Sequence, residues 1–271
     1  MDEQPIVNKP KPPTTPKLFS GVQGVVLIVV LIAGVVGWVL YFNSWTKAAP
    51  EAEDETPEQA EEITYIPMEK TYEGEAIALS DPATIGTVSV EKALSTRRSA
   101  RAFTDASLTE AQLSQMLWAA QGVTDDSGHR TAPSAKGLYA INLYVVVRNV
   151  AGVEAGLYHY LAEEHSIRLV KAGDSLLLGE DEQDSVKNAP AVLVYGAIYS
   201  KVQADFGEEG GIKVTLQESG HIGENVYLQA ETLGLGTVVV GGFSADSVRD
   251  ELKLAENETV IYLQPFGLEL E

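Results

Sequence analysis

The sequence predicts an α+β domain, helices packed on a central sheet, preceded by one membrane-spanning helix. Three observations predict it. Two runs, Ile141–Val147 and Ala191–Tyr199, are almost wholly apolar and rich in Val, as strands buried on both faces must be. Segments of helical periodicity interleave with such strands without a regular βαβ repeat, which favours α+β over a parallel sheet. Finally, Leu18 to Thr46 contains no charged residue.

Residues 1–17 form a short polar tail carrying Lys9, Lys11 and Lys17. Residues 18–46 follow as a transmembrane anchor. About 20 apolar residues suffice to cross a bilayer, and Trp38, Tyr41 and Trp45 gather at one end like an interfacial belt. The run is too long for a cleaved signal h-region of about 7–15 residues. Positive charge before the span and Glu51, Glu53, Asp54 and Glu55 after it place the tail in the cytoplasm and the domain outside, although Lys47 blunts the asymmetry. Residues 47–83 read as an acidic linker whose like charges extend it.

Residues 84–271 read as one globular domain. Ser107 and Glu110 have capping-box spacing and open a helix through Leu113, Met116, Leu117 and Ala120, which Gly122 ends. Ile141–Val147 is the first buried strand. Gly156–Tyr160 and Ile167–Val170 form a hairpin, and Ala191–Tyr199 is a second buried strand. A helix spans about Glu218 to Leu233, a strand covers Thr237–Val240, and Thr259–Pro265 closes the domain.

Composition removes several kinds of chemistry. The 19 Lys+Arg against 39 Asp+Glu leave a formal charge of −20, which repels nucleic-acid backbones. There is no cysteine, hence no disulfide, thiolate nucleophile or Cys-ligated metal. The four histidines lack metal-ligand spacing, so no metal site is expected. No GxSxG elbow, Walker loop or GxGxxG fingerprint occurs. Redox chemistry would need a bound organic cofactor.

Three constellations remain. Arg97, Arg98, Ser99 and Arg101 place three guanidiniums and a hydroxyl within five residues, just before a helical region, and suit a phosphate. The competing reading is a solvated basic turn paired with nearby acids. Thr131–Ala135, with Pro133, Ser134 and Ala135, feeds the first buried strand with small residues that let a ligand approach the backbone. The stretch from Gly220 and His221 through Asn225 and Gln229 runs to Gly241 and Gly242, a strand end whose backbone can face a flat ligand. His221 by itself reads more readily as a helix-end histidine than as a ligand.

Taken in order, RRSARAF (97–103), LTEAQLSQMLWAAQGVT (108–124), RTAPSAKGLYAINLYVV (130–146), GLYHY (156–160), the 219–243 stretch and LQPFG (263–267) resemble the nitroreductase-like FMN flavoenzymes, in their SagB or thiazole-oxidase branch. The resemblance implies a sandwich of helices around a central, mostly antiparallel sheet. It implies a homodimer with FMN in a cleft built from both subunits. Arg97, Arg98, Ser99 and Arg101 would hold the phosphate, ribityl chain and ring edge. Pro133, Ser134 and Ala135 would approach from the other subunit, and Gly241 and Gly242 would lie against the isoalloxazine. The activity implied is a membrane-anchored FMN-dependent oxidoreductase, with flavin N5 as the transfer point and no assigned catalytic side chain. Where members of the branch commonly carry Lys-Tyr-Gly, this sequence has Asp205-Phe206-Gly207-Glu208-Glu209, and the loss of that Lys and Tyr argues against azoline oxidation. The chain also stops four residues after Gly267, without the basic C-terminal arm of nitroreductases. These departures keep open a non-catalytic binding module on the same fold. A dehydrogenase acting on extracytoplasmic peptides is a third reading.

Overall fold

A computed structural model describes Tyr72, residues 74–173 and residues 183–270. The tail, the anchor and the linker up to residue 71 lie outside the described residues. Among the described residues no helix is long and apolar enough to cross a membrane.

Seven strands form one sheet: β1 (Ala76–Ala78), β2 (Ile141–Val147), β3 (Gly156–Leu161), β4 (Ser166–Ala172), β5 (Ala191–Ala197), β6 (Gly236–Thr237) and β7 (Thr259–Gly267). Their spatial order is β1-β4-β3-β2-β5-β7-β6, and every pairing of neighbours is antiparallel. The helices are α1 (Val90–Thr96), α2 (Glu110–Gln121), α3 (Asp184–Asn188), α4 (Ser200–Leu233) and α5 (Ala245–Leu252).

The two apolar runs sit at the centre, paired along their full lengths from Ile141↔Ala197 to Val147↔Ala191. Alternate side chains of β2 enter opposite cores, because strand side chains alternate between faces. Ile141, Leu143, Val145 and Val147 meet Leu113 and Leu117 of α2 and Ile222 and Val226 of α4. Tyr144 and Val146 meet Val186 of α3 and Val248 and Leu252 of α5. Helices therefore cover both faces.

Four local expectations are corrected. The α2 capping box is built on Thr109 and Gln112, not on Ser107 and Glu110: Thr109 Oγ1 accepts the Gln112 N–H at 3.1 Å and Gln112 Oε1 accepts the Thr109 N–H at 2.9 Å. Leu108 is fully buried, and its N–H and C=O pair with Asn149 and Ala151, which keeps the chain extended until residue 109. The last helix before the glycine turn begins at Ser200, not near Glu218, and includes residues 205–209. Gly207 interrupts it with φ 70°, and a Cβ on Gly211 would come within 3.1 Å of Gln203, so the glycines that disguise the helix allow its two pieces to pack closely. β6 is confined to Gly236–Thr237, because the Val239 N–H is taken by the Tyr227 phenol instead of a ladder partner. Finally, residues 76–83, placed in the linker by composition, join the domain. β1 pairs with β4, Glu110 accepts from the Ser80 N–H and hydroxyl, and Gln115 accepts from the Ala83 N–H.

Candidate functional site

The arginine cluster follows a helix and does not precede one. Arg97 is the C-cap of α1, its N–H bonded to the Ala93 carbonyl at 2.9 Å. The segment then runs extended beside β6, where Ser99 and Thr237 form a parallel bridge and the Ala100 N–H donates to the Thr237 carbonyl at 3.0 Å. Gly236 permits this approach, since a Cβ there would lie 2.5 Å from that of Ala100. Gly234 caps α4 in the left-handed conformation at φ 66° and turns the chain into β6.

Tyr227 of α4 organises this corner. Its ring carries the Arg97 guanidinium 4.8 Å from its centroid, its oxygen lies 3.2 Å from Ser99 Oγ, and it accepts the Val239 N–H at 3.0 Å. Arg97, Ser99 and the strand end leading to Gly241 and Gly242 thus share one support. Gly241 and Gly242 are exposed, and a Cβ on Gly241 would come 3.5 Å from the Tyr262 ring.

The charges of the cluster bear on its two readings. Among the described residues, none of Arg97, Arg98 and Arg101 pairs with a carboxylate. Arg98 Nη1 donates only to the Ser95 and Arg97 carbonyls, and Arg101 Nη1 only to the Ser99 carbonyl. Arg97 Nε is buried without a partner. In a chain of net charge −20 acids are plentiful, so three guanidiniums left without one leave room for a ligand anion. That fits a phosphorylated cofactor and disfavours a turn paired with nearby acids.

Pro133, Ser134 and Ala135 lie elsewhere along α4. The Pro133 carbonyl is 3.2 Å from His221 Nδ1, Asn225 Nδ2 donates to the Thr131 carbonyl at 3.1 Å, and Ser134 Oγ donates to Glu218 at 2.6 Å. Glu218 and Tyr227 are nine positions apart on one helix, about 13 Å at 1.5 Å per residue. This loop and the arginine cluster are therefore supported at separate places along α4. Lys136, beside the loop, is ion-paired with Asp205 and lies 5.4 Å from the Phe206 ring centroid, so the departing residues 205 and 206 clasp the loop.

Glu218 and Tyr227 escaped the sequence reading. Tyr227 lies within the 219–243 stretch already singled out, and Glu218 immediately before it. Spacing was the available signal: Glu218, His221 and Asn225 recur at helical intervals on one face. Burial pushes the Glu218 carboxyl above its ordinary value against the hydrogen bonds from Ser134, Ala140 and Ile141.

Two-sided helical cover on an antiparallel sheet defines an α+β sandwich, with guanidiniums and exposed glycines near its β6 edge. Residues 94–268 match the model of the nitroreductase family. A protein of Methanocaldococcus jannaschii, named for the nitroreductases, is 40% identical over 187 residues, 68% of this chain and 93% of its own. A crystal structure of a nitroreductase-type protein from Ralstonia eutropha JMP134 superposes with a TM-score of 0.63 at 31% identity, over 72% of this chain and 90% of that one. The trifolitoxin-processing protein TfxB of Rhizobium leguminosarum is 28% identical over 119 residues, 41% of this chain and 32% of its own. The chain belongs to the nitroreductase family, the FMN-dependent oxidoreductases that its motifs resemble.

Proposed function

We propose that the chain is a membrane-anchored, FMN-dependent oxidoreductase of the SagB type, working as a homodimer. The carrying observation is the set of arginines 97, 98 and 101 without carboxylate partners among the described residues. In this reading Arg98 and Arg101 hold the FMN phosphate, and Arg97, stacked on Tyr227, and Ser99 hold the ribityl chain and ring edge. Gly241 and Gly242 admit the flat ring against backbone. Pro133, Ser134 and Ala135 of the partner subunit close the cleft. FMN supplies hydride and electron transfer through N5; the protein binds, orients and excludes water.

A second subunit also suits the surface. A cleft of about 300 Å³ between α1, α2 and α4 is lined by Val90, Ala93, Trp118, Asn225 and Leu228. Val90 and Leu94 beside it are 62% and 53% exposed, an apolar face that a partner would cover. Residues 18–46 anchor the protein and the domain faces away from the cytoplasm. There a membrane quinol or another carrier, rather than a cytosolic pyridine nucleotide, would donate electrons. The likeness to a trifolitoxin-processing protein supports a peptide as substrate, and the acidic surface would prefer a basic one.

The test is the visible spectrum of the purified full-length chain. Flavin bands with FMN released on denaturation are expected. A colourless, folded dimer that added FMN cannot reconstitute would overturn the reading in favour of a binding module. A reporter fused after Glu271 assigns the side of the membrane; activity of a cytoplasm-only reporter would overturn the outward orientation.

A further inference from the structure

We infer that Glu218 is a positioning residue of the flavin site, one that holds Ser134 and its loop in the orientation in which they meet the cofactor. The inference rests on the FMN reading above and adds a residue to it.

Glu218 projects from α4 beneath the loop 133–140 and is 3% exposed. Its Oε2 accepts from Ser134 Oγ at 2.6 Å and from the Ala140 N–H at 3.3 Å, and its Oε1 accepts from Gln121 Nε2 at 3.4 Å. Ser134 Oγ in turn accepts the Tyr139 N–H at 2.9 Å. One carboxylate thus ties α2, α4, the loop and the start of β2. The loop needs such a tie. Lys136, Gly137 and Tyr139 have φ of 53°, 68° and 48°, a left-handed conformation that non-glycine residues keep only when their surroundings over-determine it. His221 and Asn225, one and two turns further along the same face of α4, hold the Pro133 and Thr131 carbonyls but reach no side chain of the loop.

Packing alone would not select a carboxylate here. Ile222 and Val226, on the next turns of α4, are apolar and fully buried, and an apolar residue avoids the desolvation cost that raises the Glu218 pKa. Among the described residues no cation bonds Glu218 directly: the Arg130 guanidinium donates to Gln121 Oε1 at 3.2 Å and to Glu163 at 3.5 Å, and acts on Glu218 only through its charge, which opposes the effect of burial. The carboxylate therefore acts as an acceptor for the loop and not as half of a buried ion pair. Its strongest contact is to a residue whose place in the cleft is otherwise set by a strained turn.

The test is a double-mutant cycle on the full-length protein, reading the FMN dissociation constant and the visible circular dichroism of the bound flavin. Glu218→Gln and Ser134→Ala are each expected to weaken FMN about tenfold, the scale of one lost hydrogen bond. Each should also diminish the flavin dichroism, and the double variant should be no worse than the weaker single. A purely structural role would lower the melting temperature of the FMN-free protein and leave both flavin signals unchanged. If Glu218→Gln does not fold, Glu218→Asp, which keeps the charge but draws the carboxylate back from Ser134 Oγ, takes its place in the cycle. An FMN affinity unchanged in Ser134→Ala, or losses that multiply in the double variant, overturns the inference while leaving the FMN reading intact. A wild-type protein that takes up no FMN overturns both.

Discussion

The phenolic oxygen of Tyr227 lies 3.2 Å from the hydroxyl oxygen of Ser99, 128 residues earlier in the chain. The same oxygen accepts the Val239 N–H at 3.0 Å. A single side chain on α4 thereby sets the arginine segment against the strand that leads to Gly241 and Gly242. Tyr227→Phe keeps the ring under Arg97 and removes only the oxygen. Each lost bond costs about 0.5–1.5 kcal/mol, so thermal unfolding should begin a few degrees lower and FMN should bind several-fold more weakly. An unchanged affinity would mean that the corner is held by Thr237 and Ala100 alone.

Arg98 and Arg101 touch only backbone carbonyls through their guanidinium groups. Their removal should cost little stability and much anion affinity. Charge-assisted hydrogen bonds are worth about 1.5–3 kcal/mol, so Arg98→Ala and Arg101→Ala should each raise the FMN dissociation constant by about tenfold to a hundredfold. Riboflavin, which lacks the phosphate, is the control. Equal loss for both flavins would place these arginines at the ring and not at the phosphate.

Gly236 packs against the same segment. A Cβ on residue 236 would lie 2.5 Å from the Cβ of Ala100 and 3.2 Å from that of Glu269. Neither atom can swing away, because both are fixed to backbone. Gly236→Ala must displace the segment from β6 and should cost about 1–3 kcal/mol, the range for overpacking a filled site. Urea unfolding measures the cost, and a midpoint equal to wild type would show that the segment yields freely.

Glu258 offers a pH signature remote from the arginines. It is 2% exposed and accepts from the Tyr144 hydroxyl at 2.9 Å and from Asn142. Burial raises its carboxyl above the ordinary 4.5. The folded state then holds this proton more tightly than the unfolded chain, so stability is fully present below 4.5 and declines as pH rises through the raised value. Glu258→Gln removes this dependence. The melting temperature of wild type relative to Glu258→Gln should be more favourable near about pH 4.5 than near about pH 7.5. His165 has the opposite sign: burial pushes it below 6.5, and its contribution is lost on acidification. It is common to both proteins and cancels in the comparison. A difference independent of pH would show Glu258 ionised as readily as in water.

The elements most legible in the sequence were those whose pattern has one physical solution. Ile141–Val147 is apolar at every position except Asn142, and only a strand covered on both faces hides such a run, which is how β2 lies between its two helical layers. Gly122 ended its helix as expected, with its N–H on the Trp118 carbonyl at 2.7 Å. The front half of α4 was hidden, because Gly207, Gly210 and Gly211 read locally as a loop; Gly207 does break the helix at φ 70°, while Gly211 stays helical packed against Gln203 and Val202. β1 was hidden by its place at the end of an acidic stretch, since three residues show no period until β4 pairs with them.

By itself the sequence determined the α+β class, the central strands and the family motifs, and it nominated Arg97, Arg98, Ser99, Arg101, Gly241 and Gly242 as candidate site residues. These depend on residue types and short spacings, which local sterics and hydrophobic periodicity translate directly into structure. Only the tertiary structure decided that the arginines lack carboxylate partners among the described residues. It also decided that Tyr227 joins two distant segments and that Glu218, one of 39 acids, is the one buried beneath Ser134. Partnership and burial are relations between residues far apart in the chain. Their energies arise when water is excluded, and that happens only once the sheet and its helices have closed on one another.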